Sequence, residues 1–273
     1  MTSTLINTYF REENLPHIWC PGCGHGIITR AITKAIDNLG YNKEEICIVS
    51  GIGCSSRASS YLNFDTLHTT HGRALAFATG VKFSKPNLKV IVITGDGDCT
   101  AIGGNHFIHA CRRNIDLTTI VYNNNIYGMT GGQFSPTTPT GEKGTTVPYG
   151  NIDRNFDICE LAIASGASYV GRGTAYHANM LINLIENGMR NKGFSVIEAL
   201  SVCPTYYGRK NKKGSAIEML KEQKERCITS KMARKYGIDE LQNKILIGEL
   251  RKCNYPEYTE EYEKLINIAK ERC

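Results

Sequence analysis

LKVIVITGDGD, residues 88–98, and LTTIVYNNN, residues 117–125, are the two stretches on which the fold turns. Each is a short apolar run rich in β-branched residues, and each stops at a cluster of Gly, Asp or Asn. Runs of that kind suit strands buried on both faces, which occur in parallel sheets covered by helices. Between them, near residues 101–113, lies one helix-length segment, which is what a crossover between parallel strands requires.

The alternation extends in both directions. Upstream, Ile27, Ile28, Ala31, Ile32, Ala35, Ile36 and Leu39 recur at helical spacing and Gly40 stands where a C-cap would. ICIVS at 46–50 reads as a strand, the turn GIGCSS follows, and GRALAFATGVKFS at 72–84 reads as a helix. Downstream come a Gly/Pro/Thr-rich loop at 128–151, a helix from Asp157, a short strand near Ser168, a helix within 176–190 and the strand FSVIEAL at 194–200. The fold class is therefore α/β, a parallel sheet flanked by helices, over residues 1–204. Residues 205–273 are charged and helix-prone, and read as a C-terminal helical extension. Ligands in such sheets gather at the carboxyl ends of the strands. Cys54, Asp96, Asn124 and Cys203 each follow a strand, so all four are expected at that edge.

Composition narrows the classes. The chain has 273 residues, 41% hydrophobic and 21% charged, as an ordinary folded protein does. No run approaches the ~18 apolar residues that cross a bilayer, and the N-terminus lacks a signal-peptide pattern, so the expectation is a cytoplasmic protein without a membrane partner. Lys and Arg number 32 against 26 Asp and Glu, and nearly all of the excess lies beyond residue 204. The one dense basic patch, Arg209 to Lys213, has no interleaved aromatic motif, which argues against nucleic acid and for a solvated or partner-docking face. Eleven cysteines is a high count for a reducing compartment, where thiols serve as metal ligands more often than as disulfides.

GDGD and NNN carry the first chemical signal. Either alone is an ordinary strand-ending turn. Both, 24 residues apart and each after a buried run, form an arrangement suited to a diphosphate. Glycines admit backbone N–H groups to phosphate oxygens, and the following helix directs its positive end there. Asp96, the Asn124 side chain and the Ile126 carbonyl offer three oxygens to magnesium, which takes few protein ligands when phosphates supply others. A dinucleotide GxGxxG in its proper setting and a P-loop lysine are both missing.

The longer text is specific. WCPGCG, GIGCSS, HTTHGRALAFATGVK, GDGDCTAIGGNH and NNNIYGMTGGQ, in that order between Trp19 and Tyr206, resemble the β subunits of 2-oxoacid:ferredoxin oxidoreductases, the 2-oxoglutarate branch above all. The resemblance implies a thiamine diphosphate-binding fold. It implies magnesium on Asp96, Asn124 and Ile126. Gly95, Gly97, Asp98, Gly53, Cys54, Ser55, His71, Gly72, Tyr127, Gly128, Met129 and Thr130 are then expected around the cofactor.

The cysteines are a second constellation. Cys20 and Cys23 form a CxxC in a Gly/Pro-rich turn, and Cys54 and Cys203 lie 31 and 149 residues further on, unlike a compact zinc ribbon. Four thiolates suit iron–sulfur and zinc alike, and the residues alone leave that open. The resemblance implies a 4Fe-4S cluster on Cys20, Cys23, Cys54 and Cys203. Cys47, Cys99, Cys111, Cys159, Cys227, Cys253 and Cys273 are expected to be structural.

His68 and His71 read as hydrogen-bonding residues rather than metal ligands, and the resemblance places His71 and Arg73 beside substrate or cofactor. His106 and His109, a turn apart, read as packing residues. Arg57 is either an ordinary surface arginine or, by its bidentate fork, a recogniser of a dicarboxylic 2-oxoacid. The expected catalytic residues are His71 and Arg57. The implied reaction is CoA-dependent oxidative decarboxylation of 2-oxoglutarate to succinyl-CoA and carbon dioxide, with reduction of ferredoxin or flavodoxin. No glutamate stands in a motif suited to activating the thiamine ring, so the resemblance implies an α subunit that supplies it, in an αβ unit either dimerised or joined by γ and δ subunits. Pyruvate or another 2-oxoacid is the nearest alternative substrate. A non-redox thiamine enzyme and a zinc-stabilised binding module are the remaining readings.

Overall fold

The computed structural model describes residues 2–241 and 243–272, and Cys273 lies outside the described residues. Eight strands form one sheet: β1 (Ile46–Ser50), β2 (Asp65–His68), β3 (Lys89–Gly95), β4 (Thr118–Asn123), β5 (Tyr169–Thr174), β6 (Ser195–Leu200), β7 (Cys227–Thr229) and β8 (Ile245–Lys252). Their order is β2-β1-β3-β4-β6-β5-β8-β7. The six strands β1 to β6 run parallel, β8 is antiparallel to β5, and β7 is parallel to β8.

Alternate residues of the central strands serve two cores, because successive side chains leave opposite faces of a sheet. Ile48, Ile91, Ile93, Ile120 and Ile197 pack under the helices His25–Leu39 and Ala178–Arg190. Val49, Val90, Val92, Val121 and Val196 pack under the helices Ala74–Ser84, Gly104–Arg113 and Ile158–Ala164. Both faces of β3 and β4 are thus dry, as their unbroken apolar text implies. Gly40, at φ +67, ends the first of these helices, and the Asp157 side chain accepts from Glu160 N to begin the last.

The expected elements between residues 25 and 200 are all present. The helix after GDGD begins with a π-helical turn, Asp98–Ile102, before the regular helix from Gly104. The strand β2 and the N-terminal helix Thr2–Tyr9 have no counterpart in the sequence reading. The region beyond residue 204 also differs from the all-helical expectation. Alongside the helices Ala216–Arg226 and Tyr258–Glu271 it contributes β7 and β8, which extend the sheet beyond β5. Charged residues on β8 masked it as helix, and its antiparallel pairing to an edge explains how a strand with ILIGELRK text is tolerated.

The connection leaving β1 runs outward to β2, whereas the one leaving β3 runs the other way to β4. A crevice opens where crossovers diverge in this manner, at the carboxyl ends of the two strands. Cys54, Asp96, Asn124 and Cys203 follow β1, β3, β4 and β6, so all four stand on that edge. No helix among the described residues is long and apolar enough to cross a membrane.

Candidate active site

The turn after β3 places two buried carboxylates two residues apart with different employment. Asp96, 3% exposed, accepts from Ser135 Oγ at 2.5 Å and from Thr137 Oγ1 at 2.7 Å, both at Oδ2. Among the described residues it has no cationic partner within ion-pair distance. Burial pushes its carboxyl up to about 6, against the pull of those hydroxyls. Asp98 is spent inside the protein. Its carboxylate accepts from His71 Nδ1 at 2.5 Å, Gly72 N at 2.7 Å and Thr94 Oγ1 at 2.7 Å. It therefore pins the loop after β2 to the turn after β3.

Glycines let these turns meet. A Cβ on Gly51 would stand 1.9 Å from Asp98 Oδ2, and one on Gly97 would stand 2.3 Å from the Tyr127 ring. Tyr127 lies over that turn, its hydroxyl donating to the Gly97 carbonyl at 3.0 Å and its ring meeting His71 edge-on. The turn after β4 is closed by Asn124 Oδ1, which accepts from Ile126 N at 3.2 Å, with Asn125 at φ +62.

One cleft of about 140 Å3 unites these groups. Gly53, Cys54, Ser55, His71, Gly95, Asp96, Gly97, Asp98, Asn124, Ile126, Tyr127, Gly128, Met129 and Thr130 all line it, so the structure brings together nearly the whole expected cofactor set. Gly72 stands behind the lining, bonded to Asp98. Arg57 is not in the lining. It ends the turn Ser55–Arg57, half-buried, and its Nε has no hydrogen-bond partner among the described residues. His68 is exposed at the end of β2, and His109 accepts from Arg112 Nε.

The cleft is smaller than the ~300–1,000 Å3 that encloses a cofactor-sized ligand, and apolar side chains stand open beside it. Met129 is 45% exposed and Ile52 38%. Among the described residues, the carboxylates lining it are Asp96 and Asp98, and no glutamate does.

The CxxC turn, with Gly22 and Gly24 in the left-handed region, is wedged between the sheet and the helix Ala216–Arg226. Trp19 Nε1 donates to the Cys54 carbonyl at 2.7 Å, Val202 N donates to the Cys23 carbonyl at 3.1 Å, and Thr205 Oγ1 donates to Cys20 Sγ at 3.2 Å. These three bonds tie together the three segments that carry the four cysteines. Burial pushes the Cys23 and Cys54 thiols up to about 11, and negative charge on the other cysteines of the set pushes the same way. A Cβ on Gly128 would lie 3.5 Å from Cys54 Sγ, 3.6 Å from Cys203 Sγ and 3.7 Å from Asn124 Nδ2. The sulfur set and the Asn124 turn therefore share one boundary. Of the remaining cysteines, Cys47, Cys99, Cys111, Cys159 and Cys227 are buried and Cys253 is half-buried.

Three functional candidates carry no plain signal in sequence. Ser135 and Thr137 sit in the Thr/Pro-rich loop, and only its return to Asp96 reveals them. His25, 2% exposed, opens a helix yet lines the cleft, and burial pushes it down to about 4, so its ring is neutral.

Comparison with known proteins gives a consistent result. The thiamine pyrophosphate enzyme family, C-terminal TPP-binding domain, matches residues 51–199, the span from the turn after β1 to the end of β6. The 2-oxoglutarate synthase subunit KorB of Methanocaldococcus jannaschii is 54% identical over 96% of this chain and 97% of its own. That of Methanothermobacter thermautotrophicus is 51% identical over 95% and 91%. The solved 2-oxoglutarate:ferredoxin oxidoreductase from Magnetococcus marinus with 2-oxoglutarate, coenzyme A and succinyl-CoA bound superposes with a TM-score of 0.86 at 31% identity, covering 97% of this chain and 90% of that one.

Proposed function

The chain belongs to the β-subunit family of the 2-oxoacid:ferredoxin oxidoreductases, and on that premise we propose that it is the thiamine diphosphate- and cluster-bearing half of an enzyme converting 2-oxoglutarate and coenzyme A to succinyl-CoA and carbon dioxide while reducing ferredoxin. The observation that carries the reading is the meeting of Asp96, Asn124, Cys54 and the Gly128 backbone at one cleft, with Cys203 Sγ on its border.

The residues fit magnesium and a diphosphate. Asp96 is a buried carboxylate without a cation, and the other candidate donors, Asn124 and the Ile126 carbonyl, are also oxygens, the type magnesium prefers. Ser55 Oγ and His25 Nδ1, both on the lining, are buried without a hydrogen-bond partner among the described residues, as groups awaiting a polar ligand would be.

The cysteines fit a polynuclear cluster better than a single ion. Tetrahedral zinc, with Zn–S near 2.3 Å, holds its sulfur atoms only about 3.8 Å apart. Among the described residues no three of Cys20, Cys23, Cys54 and Cys203 bring their sulfurs within 4.8 Å of one another. A cubane spreads its four thiolates more widely. The ten free cysteines of the described residues also suit a reducing, cytoplasmic setting.

When bound, thiamine diphosphate supplies the carbon nucleophile and electron sink for decarboxylating a 2-oxoacid, and a 4Fe-4S cluster supplies one-electron transfer. This chain's residues do the holding and the orienting. Asp96, Asn124 and the Ile126 carbonyl grip the ion. Gly95 and Gly97 keep the backbone bare where phosphate oxygens approach. The Asp98 carboxylate holds His71 through Nδ1, which leaves Nε2 as the ring nitrogen free for a hydrogen bond at the cleft. Neutral His25 adds a hydrogen-bonding ring without a charge that would oppose a cationic cofactor. Arg57, outside the cleft lining at the end of the turn Ser55–Arg57, is the candidate for the distal carboxylate of the substrate by its permanent charge.

A cleft too small for the cofactor, bordered by exposed Ile52 and Met129 and with no glutamate among the described residues that line it, calls for a second chain. An α subunit closing over this face completes the site, with γ and δ subunits as further members of the assembly. Anaerobic co-purification with the α subunit tests the reading: thiamine diphosphate-dependent dye reduction with 2-oxoglutarate and coenzyme A is expected to exceed that with pyruvate. Activity with neither substrate, or thiamine diphosphate binding by Asp96→Ala as tight as the parent's, overturns it.

A further inference from the structure

Four consecutive residues of the long loop, Ser135-Pro136-Thr137-Thr138, bind both turns that carry the ion's candidate ligands. On one side, Ser135 Oγ and Thr137 Oγ1 donate to Asp96 Oδ2 at 2.5 and 2.7 Å. On the other, Thr138 Oγ1 donates to the Asn125 carbonyl at 2.6 Å and accepts from Ser135 N at 2.8 Å. Thr137 Oγ1 also lies 3.2 Å from Asn123 Oδ1. The three hydroxyl side chains are 1%, 2% and 0% exposed, so water does not compete for these bonds.

Asn123 extends the linkage into the sheet. Its Oδ1 accepts from Asn125 N at 3.0 Å, and its Nδ2 donates to Glu198 Oε1 at 2.7 Å. Glu198 in turn accepts from Arg172 Nε at 2.5 Å through its other oxygen. Arg172 Nη2 also donates to Asp157, so the far end of this chain of bonds rests on a buried, charge-paired anchor in β5 and β6. Buried bonds of this kind polarise one another and hold side chains in place.

We infer that Ser135, Thr137 and Thr138 form a positioning bracket that sets the direction of the Asp96 carboxylate and its spacing from the Asn124 turn, and so sets the magnesium affinity of the site. None of the three touches the reacting atoms. The inference rests on the reading of this cleft as a thiamine diphosphate–magnesium site. Groups that orient metal ligands from behind commonly govern 10- to 100-fold in metal affinity. Thr137 is the critical member, since its hydroxyl lies within hydrogen-bond distance of both turns.

The test measures thiamine diphosphate binding to the anaerobically purified complex by equilibrium dialysis across a magnesium titration, with iron content and melting temperature read on the same samples. Thr137→Val is expected to raise the magnesium concentration for half-maximal binding at least tenfold, with iron content unchanged, and Thr137→Ser to stay within about threefold of the parent. Should Thr137→Val not yield folded complex, Ser135→Ala carries the test, with an expected rise of at least threefold. A merely structural role would lower the melting temperature without moving the magnesium midpoint of the folded protein. An unmoved midpoint, or Thr137→Ser failing as badly as Thr137→Val, overturns the bracket alone. A parent complex that shows no magnesium-dependent binding removes the cofactor reading and the bracket with it.

Discussion

Asp96→Asn exchanges the proposed ion ligand for an amide of the same shape, and its effect on stability has a sign that depends on pH. In the folded chain without a divalent ion, burial lifts the carboxyl from 3.8 up to about 6, even though Ser135, Thr137 and nearby backbone N–H groups pull it down. The unfolded chain returns it to its ordinary value. The folded protein thus holds the proton more tightly than the unfolded one. Stability from this group is complete below pH ~3.8 and is lost as pH rises through about 6. A separation of that size corresponds to about 3 kcal/mol. Asn does not titrate and retains an oxygen for both hydroxyls. In urea unfolding without magnesium or cofactor, the stability of the variant relative to the parent is therefore expected to climb by about 2–3 kcal/mol between pH ~4 and ~8. Adding magnesium and thiamine diphosphate at the higher pH is expected to stabilise the parent and leave the variant where it was. A difference that does not change with pH, or equal stabilisation of both proteins by the ligands, would refute the reasoning.

Three further outcomes follow from the same geometry. Gly128→Ala places a methyl at ordinary contact distance from Cys54 Sγ and Cys203 Sγ, so the metal-free fold is expected to be unchanged within about 1 kcal/mol while iron content falls by more than half. Full iron occupancy in that variant places the cluster elsewhere. Cys203→Ser is expected to lose the iron–sulfur absorbance, whereas Cys159→Ser, whose thiol donates to Glu198 within the protein, keeps it; equal iron in the two removes the ligand assignment. Arg57→Met is expected to lower turnover of 2-oxoglutarate at least tenfold more than that of pyruvate, because a monocarboxylate has no second charge to lose. A proportional loss with both substrates ends its role in specificity.

The parallel sheet was readable because its central strands are dry on both faces: ICIVS, KVIVITG and TTIVYN allow little else. The position of the site's main candidate residues was readable for a related reason, since each of Cys54, Asp96, Asn124 and Cys203 stands where a buried run stops and the chain must turn. What escaped sequence reading was set by tertiary pairing. Asp65–His68 is a polar edge strand with no periodicity, formed because it pairs with β1. Ile245–Lys252 carries helix-favouring Glu, Leu and Lys yet is extended because β5 offers it an open edge. The resemblance implies Asp98 beside the diphosphate; that His71, Gly72 and Thr94 hold its carboxylate is visible only in the fold. Ser135 and Thr137 lie 39 and 41 residues from the carboxylate they orient, in a loop whose composition suggests only irregular chain.

The most direct test of the shared cofactor and cluster site is the visible absorbance of the anaerobic αβ complex on addition of 2-oxoglutarate. Bleaching of the iron–sulfur band is expected in the parent only when thiamine diphosphate and magnesium are present, and is expected to vanish in Asp96→Ala while the iron remains bound. Bleaching that persists in Asp96→Ala, or an iron–sulfur band that survives the loss of Cys203, contradicts a site in which one cleft joins the cofactor to the cluster.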